Sequence, residues 1–239
     1  MRVAIFSDVH ANLPALEAVL ADIETERVDQ RYALGDLLGY APWPNETLER
    51  LRAEGFPIVM GNYDDGTGFD RDECGCAYVK ERDRAEGDAG FAWTKAHTSE
   101  ANKAWLRMLH LQIRFEADGK RYLLVHGSPR KINEYLYEDK PDATFARIAA
   151  DADADVIVCG HTHKPYDKTV EGTRFINVGS AGKPKDGDPR GCWALLDTAT
   201  GALDFRRVSY DVERSAKAVE ATDLPAEFAA QLREARGYL

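Results

Sequence analysis

The chain has 239 residues, a length that accommodates one larger α/β domain or two small ones. Its 44% hydrophobic and 30% charged residues exclude disordered, collagen-like and membrane classes, and its longest apolar runs, residues 122–125 and 156–159, fall far short of the ~20 residues a bilayer span needs. A formal charge of −10 repels polyphosphate backbones, so no long nucleic acid is expected as a partner, and no membrane either. Asp8 follows a short apolar run with no basic segment and long hydrophobic stretch, so no signal peptide is expected and the protein is placed in the cytoplasm. Four cysteines, Cys74, Cys76, Cys159 and Cys192, are too few for a disulfide framework in a chain this long, and reduced thiols are expected.

In chain order, short apolar runs alternate with helical patterns: a strand at 3–6, a helix at 13–23, a strand at 32–34, a helix near 46–54 and a strand at 58–60. That order is βαβαβ and favours parallel strands with helices on the sheet faces. Residues 64–90 are rich in Asp, Glu, Arg and Gly, and read as a surface insertion or lid. Residues 89–108 read as one or two helices whose aromatic residues form core. Runs at 112–116 and 120–126 flank Asp118-Gly119, a two-residue hairpin turn, and Glu171-Gly172 and Thr200-Gly201 repeat the pattern. An Ala-rich helix at 142–152 precedes a strand at 156–159, and an amphipathic segment at 212–236 closes the chain. The expectation is a single domain with mixed sheets over 1–239, carrying a lid-like insertion at about 64–109.

Five segments share one design, in which a β-prone run stops and a polar residue of metal-ligand type follows. They are Ser7-Asp8-Val9-His10, Leu34-Gly35-Asp36, Met60-Gly61-Asn62, Val125-His126-Gly127 and Cys159-Gly160-His161-Thr162-His163. Each puts its ligand just past the carboxyl end of a strand, the edge where α/β sheets form crevices. Asp8/His10 and His161/His163 are spaced i, i+2, so each pair shares one face and grips one ion if the backbone stays extended. Four histidines, two aspartates and one asparagine suit Mn, Fe, Zn, Ni or Co better than Ca or Cu(I). Seven ligands exceed one tetrahedral zinc site, and two divalent ions sharing a carboxylate fit the number better. Such a site attracts phosphate despite the overall negative charge.

These segments, with Gly35-Asp36-Leu37-Leu38-Gly39 and Gly61-Asn62-Tyr63-Asp64 read in full, resemble the five signature motifs of the calcineurin-like metallophosphoesterases, and Asn177-Val178-Gly179-Ser180 resembles the continuation in bacterial members. The resemblance implies a four-layer αββα sandwich of two mixed β-sheets flanked by helices, which agrees with the pattern above. It implies that Asp8, His10 and His163 hold one ion, that Asn62, His126 and His161 hold the other, and that Asp36 bridges them. It also implies a hydroxide, bridging the two ions, that attacks phosphorus in line. Tyr63 stands where the commonest family pattern has a histidine that protonates the leaving oxygen, and a phenol is a weaker acid than an imidazolium. That substitution favours a small phosphodiester, phosphoanhydride or nucleotide over alkyl monoesters. Asp36, Asn62, Tyr63 and Asp64 are the expected catalytic group, with Asp64 fixing Tyr63 or a ligand, and Asn62, Tyr63 and Arg130 the expected substrate contacts.

The remaining features have plainer readings. Cys74-Gly75-Cys76 reads as free lid thiols, because no second pair completes a zinc set. His97 and His110 read as helix-surface or packing residues, and Lys183, Lys185 and Arg190 as solvated charges or turn contacts in a Gly/Pro/Asp-rich loop. Two rival functions stand beside the phosphohydrolase: a phosphoprotein phosphatase, and a non-catalytic scaffold of the same fold, as in the retromer subunit that shares it.

Overall fold

The structure is a computed structural model describing residues 1–238. In chain order its elements are β1 (Arg2–Phe6), α1 (Leu13–Thr25), β2 (Gln30–Ala33), α2 (Pro44–Glu54), α3 (Asn62–Gly68), α4 (Glu81–His97), α5 (Glu100–Leu106), β3 (Ile113–Ala117), β4 (Lys120–Leu124), α6 (Asp142–Ala152), β5 (Val156–Cys159), β6 (Tyr166–Val170), β7 (Thr173–Asn177), β8 (Gly191–Asp197), β9 (Leu203–Val208), α7 (Val212–Glu220) and α8 (Glu227–Glu234). Two mixed sheets result, one ordered β2-β1-β8-β9 and the other β3-β4-β5-β7-β6. In the first, β1 runs parallel to β2 and antiparallel to β8; in the second, β4, β5 and β7 run parallel while β3 and β6 are antiparallel edges.

Period-two alternation builds the layers. Val3 and Ile5 of β1 meet Tyr122 and Leu124 of β4, Val156 and Val158 of β5 and Ile176 of β7 between the sheets. Ala4 and Phe6 face the other way, onto Leu16, Leu20 and Ile23 of α1 and Leu48 and Leu51 of α2. On the opposite outer face Leu123, Ile157 and Phe175 pack against Phe145 and Ile148 of α6. The architecture is the αββα sandwich expected from the sequence. Fully burying each such side chain contributes about 1.5–3 kcal/mol. Trp193 of β8 is fully buried and donates its indole N–H to Asp22 Oδ2 at 2.8 Å, locking α1 to its sheet.

The structure departs from the sequence reading in four places. Residues 58–60 form only isolated bridges, Ile58 to Ala33 and Val59 to His110, since Pro57 has no N–H to give and Gly61 opens a helix directly after. The insertion is more ordered than its composition implies. Asn62–Gly68 is helical and mostly buried, because Gly66 lets Phe91 of α4 approach and Gly68 lets Leu106 of α5 approach, contacts of 2.8 and 3.1 Å to any added Cβ. The carboxy-terminal segment is two helices, broken around Pro225. Asp118-Gly119 and Glu171-Gly172 are two-residue turns with both φ positive, whereas at Thr200-Gly201 only Gly201 is left-handed and a longer loop joins β8 to β9. Of the single-domain expectation, Leu239 lies outside the described residues. Among the described residues no helix is long and apolar enough to cross a membrane.

Candidate metal centre

The carboxyl ends of β1, β2, β4 and β5 and the end of the 58–60 stretch converge at one seam between the sheets. Backbone hydrogen bonds draw them together: Asp8 N–H to the Gly35 carbonyl at 2.9 Å, His10 N–H to that of Asp36 at 3.0 Å, and Gly160 N–H to that of His126 at 2.8 Å. Across the sheets, the His161 N–H donates to Asp8 Oδ2 at 2.9 Å. Gly61 and Asp36 lie so close that a Cβ on Gly61 would sit 2.1 Å from the Asp36 nitrogen, so no larger residue fits there.

Two groups of side chains with metal-ligand atoms form at this seam: Asp8, His10 and His163, and Asp36, His126 and His161. All six are at most 2% exposed, as is Asn62. The His10 and His163 Nε2 atoms lie 3.2 Å apart, and Asp8 Oδ1 lies 3.6 and 3.3 Å from them. His126 Nε2 lies 3.2 Å from His161 Nδ1 and 3.1 Å from Asn62 Oδ1. Asp36 Oδ2 stands between the groups, 3.4 Å from His126 Nε2 and 3.8 Å from His10 Nε2. Its other oxygen accepts the Tyr63 N–H at 2.9 Å, which fixes the carboxylate's orientation.

The i, i+2 argument is corrected by the backbone. Asp8, His10, Asp36, His161 and His163 all have φ between 49° and 65°, the left-handed region, where Asp and His are tolerated at a cost on the order of 1–3 kcal/mol each. Asp8 and His10 still share a group, but the turn sends His161 and His163 to different ones.

The donor chemistry tests whether cations fit. His10, His126 and His163 each direct Nδ1 at a carbonyl, of Leu38, Leu34 and Lys183, at 2.8, 2.7 and 2.5 Å. A carbonyl can only accept, so Nδ1 carries the proton and Nε2 of the neutral ring turns a lone pair inward. Lone pairs of His10 and His163 then face each other beside Asp8 Oδ1, a buried oxygen with no hydrogen-bond partner among the described residues. Convergent acceptors of this kind repel one another until a cation sits among them, so the residues fit divalent metal. Burial and the Lys185 charge push His163 well below the ordinary imidazole range, and burial with the His126 charge lowers His161 to about 3, so both rings stay neutral. His126 goes the other way: burial lowers it, but the charge and hydrogen bond of Asp36 outweigh burial and raise it to about 9.

Asp64 acts on the backbone. Its two oxygens accept the Leu37 N–H at 3.0 Å and the Gly61 N–H at 2.9 Å, tying the loop after β2 to the start of α3. Burial and the nearby Asp36 charge raise it to about 7. Tyr63 is 1% exposed, its ring set edge-on to His10 and Phe91 and tilted against Tyr40. Arg130 is exposed and engaged in a bidentate pair with Glu134.

Three neighbours escaped the sequence reading. The thiols of Cys74 and Cys76 are free, as expected, yet the segment lies on the centre: Asn62 Nδ2 donates to the Cys74 carbonyl at 2.9 Å and reaches Cys76 Sγ at 3.4 Å. Tyr135 packs on His161 with ring centroids 4.0 Å apart. Lys183, expected as a solvated charge or turn contact, is 1% exposed, with its amine 4.4 Å above the Tyr40 ring and its main-chain carbonyl accepting from His163 Nδ1. Arg190 does pair in the loop, with Asp188, and His97 and His110 are exposed, far in role from the centre.

Fold and centre together define a calcineurin-like phosphoesterase. The chain belongs to that family: the calcineurin-like phosphoesterase superfamily domain matches residues 1–201, and its members bind divalent metals. The chain is similar to a metallophosphoesterase of known structure from Sphaerobacter thermophilus, at 30% identity and a TM-score of 0.80, covering 98% of this chain and 99% of that one. Hypothetical protein PH1004 from Pyrococcus horikoshii superimposes with a TM-score of 0.87 at 22% identity, covering 100% and 99% of the two chains. An uncharacterized protein from Methanocaldococcus jannaschii, MJ0912, is 30% identical over 240 residues, 93% of each chain.

Two outcomes are expected. Because His126 must lose a proton to become a ligand, apparent metal affinity rises about tenfold per pH unit below pH 9 and levels above it, with proton release on binding. Titration in a chelator-buffered series across pH 7 to 9 checks this, and a flat profile contradicts it. Asp64→Ala weakens metal binding by about 10- to 100-fold, the range for residues that orient ligands, while Arg130→Ala leaves it unchanged. Competition with a metallochromic dye measures both.

Proposed function

We propose that this chain is a dinuclear metal-dependent phosphohydrolase of one domain, with residues 64–109 shaping access, acting on small phosphodiesters or phosphoanhydrides. One observation carries the reading: Asp36 sets a single carboxylate oxygen within 3.8 Å of imidazoles belonging to both groups of candidate ligands. Two divalent ions held there would supply Lewis-acid activation of water and would neutralise charge at phosphorus. In this reading Asp8, His10 and His163 hold one ion, Asn62, His126 and His161 the other, and Asp36 both. The carbonyls behind the imidazoles present Nε2, Tyr63 N–H orients Asp36, and Asp64 holds the two loops in register. Burial of every ligand to 2% exposure or less suits a small ester and disfavours a folded phosphoprotein. Persistence of all seven ligand side chains at one seam disfavours a scaffold that has lost catalysis.

Tyr63 supports the reading as a positioning residue. Burial and the neighbouring Tyr40 push its hydroxyl well above the ordinary phenol range, so proton donation to the leaving group is assigned to solvent. Substrates with good leaving groups depend least on that proton.

The test is elemental analysis paired with hydrolysis of bis-p-nitrophenyl phosphate before chelation, after it, and after Mn addition. About two metal ions per chain and chelator-sensitive turnover are expected; a metal-loaded protein without turnover contradicts the reading. Tyr63→Phe keeps turnover within about twofold, whereas loss of a proton donor costs about 100-fold or more.

A further inference from the structure

Two cysteines separated by one glycine hold the side chain of Asn62. Among the described residues its amide nitrogen has two partners, the Cys74 carbonyl at 2.9 Å and Cys76 Sγ at 3.4 Å. With that end fixed, Asn62 Oδ1 stands 3.1 Å from His126 Nε2. The cysteines also meet each other, their side chains within hydrogen-bond reach. Cα atoms on either side of one residue of extended chain stand about 7 Å apart, at the outer limit for a disulfide, and a bend between them brings them inside it. Gly75 supplies that bend with a φ of +71°. Asn133 clamps it, its Nδ2 donating to the Gly75 carbonyl at 2.6 Å and lying 2.6 Å from where a Cβ on residue 75 would be. Each cysteine also lines a cavity, Cys74 one of about 730 Å³ together with Asn62 and Asn133, and Cys76 a second of about 490 Å³. Cys74 is 7% exposed and Cys76 is partly exposed, whereas Cys159 and Cys192 are completely buried.

Resting on the reading of Asn62 as a metal ligand, we infer that Cys74 and Cys76 form a redox modification site, at which a peroxide joins the two thiols as a disulfide and the bridge loosens the hold of Asn62 on its ion. One sulfur, as thiolate, attacks a peroxide oxygen; the S–O bond forms, the O–O bond breaks, and the released hydroxide takes up the thiol proton as water. The second sulfur then attacks the sulfenic acid, forming the S–S bond and breaking the S–O bond, and a second water leaves. The two thiols give up two electrons and two protons, and hydrogen peroxide is reduced to two waters. The effect on the centre follows from the contacts: both partners of the Asn62 amide nitrogen belong to the residues being bridged. Drawing the two sulfurs into a covalent bond moves both anchors, and Oδ1 loses its aim beside His126 Nε2.

The test treats metal-free protein with hydrogen peroxide, maps the cysteines by peptide mass before and after dithiothreitol, and titrates each sample with Mn in the presence of a metallochromic dye. It uses the wild type, which serves as its own control on reduction, and the double variant Cys74→Ser/Cys76→Ser. In the wild type the peptide holding residues 74–76 loses two hydrogens while Cys159 and Cys192 stay reduced. Its affinity for one of two Mn ions falls about 10- to 100-fold, the range for groups that orient a ligand, and dithiothreitol restores it. The double variant, compared with itself untreated, changes by less than about twofold. Thiols that stay free, or that pass to sulfinic acid without bridging, overturn the modification site. A bridge that leaves Mn affinity unchanged, or an equal fall in the double variant, overturns its coupling to Asn62. Protein that forms the bridge yet takes up no Mn before treatment overturns the metal reading and leaves the disulfide assignment standing.

Discussion

Asp36 places a carboxylate that is 2% exposed between imidazoles of two separate groups, at the seam where two sheets meet. Away from water, an ionised group without compensation costs several kcal/mol, and a second carboxylate, Asp8, shares the same seam. Three kinds of compensation surround them. Main-chain N–H groups of Tyr63 and His161 take one oxygen of each. Imidazoles face the remaining oxygens, and a cation among those acceptors completes the balance. The Asp36 charge and hydrogen bond raise His126 to about 9 against burial, whereas burial lowers His161 and His163.

Holding so many acceptors together requires strained backbone. Five of the candidate ligands lie in the left-handed region, and only a framework that over-determines their positions keeps them there. The two sheets supply it: parallel neighbours β1 with β2 and β4 with β5 deliver their carboxyl ends side by side, and the inter-sheet layer of Val, Ile and Leu side chains fixes one sheet against the other. The site is thus paid for by the core. Loops tie it off locally, with Asp64 joining two of them and Ser180 Oγ donating to the Asp8 carbonyl at 2.7 Å from a third.

Much of this was legible in the sequence, because strand, sharp turn and ligand are a local pattern. The runs at 3–6 and 156–159 and the helix at 142–152 follow from periodicity, and residues placed just past strand ends do meet at one edge. Contacts between distant segments were not legible. Nothing near Cys76 or Tyr135 points to Asn62 or His161, since the approach depends on how residues 74–76 fold back over the seam. Lys183 reads as a loop charge or turn contact, yet its side chain is buried over Tyr40 while its carbonyl accepts from His163. The buried helix α3 hides behind two glycines that propensity counts against a helix and that packing against α4 and α5 requires. Resemblance supplied the pairing of ligands across groups, which extended-strand geometry would have divided differently.

The central claim is that one carboxylate joins two metal ions. Electron paramagnetic resonance of Mn-saturated protein tests it most directly, because two Mn(II) ions sharing a carboxylate are exchange-coupled. The account predicts the spectrum of a coupled pair in the wild type and that of isolated Mn(II) in Asp36→Asn. A wild-type spectrum of isolated Mn(II) alone, at saturating metal, would contradict it.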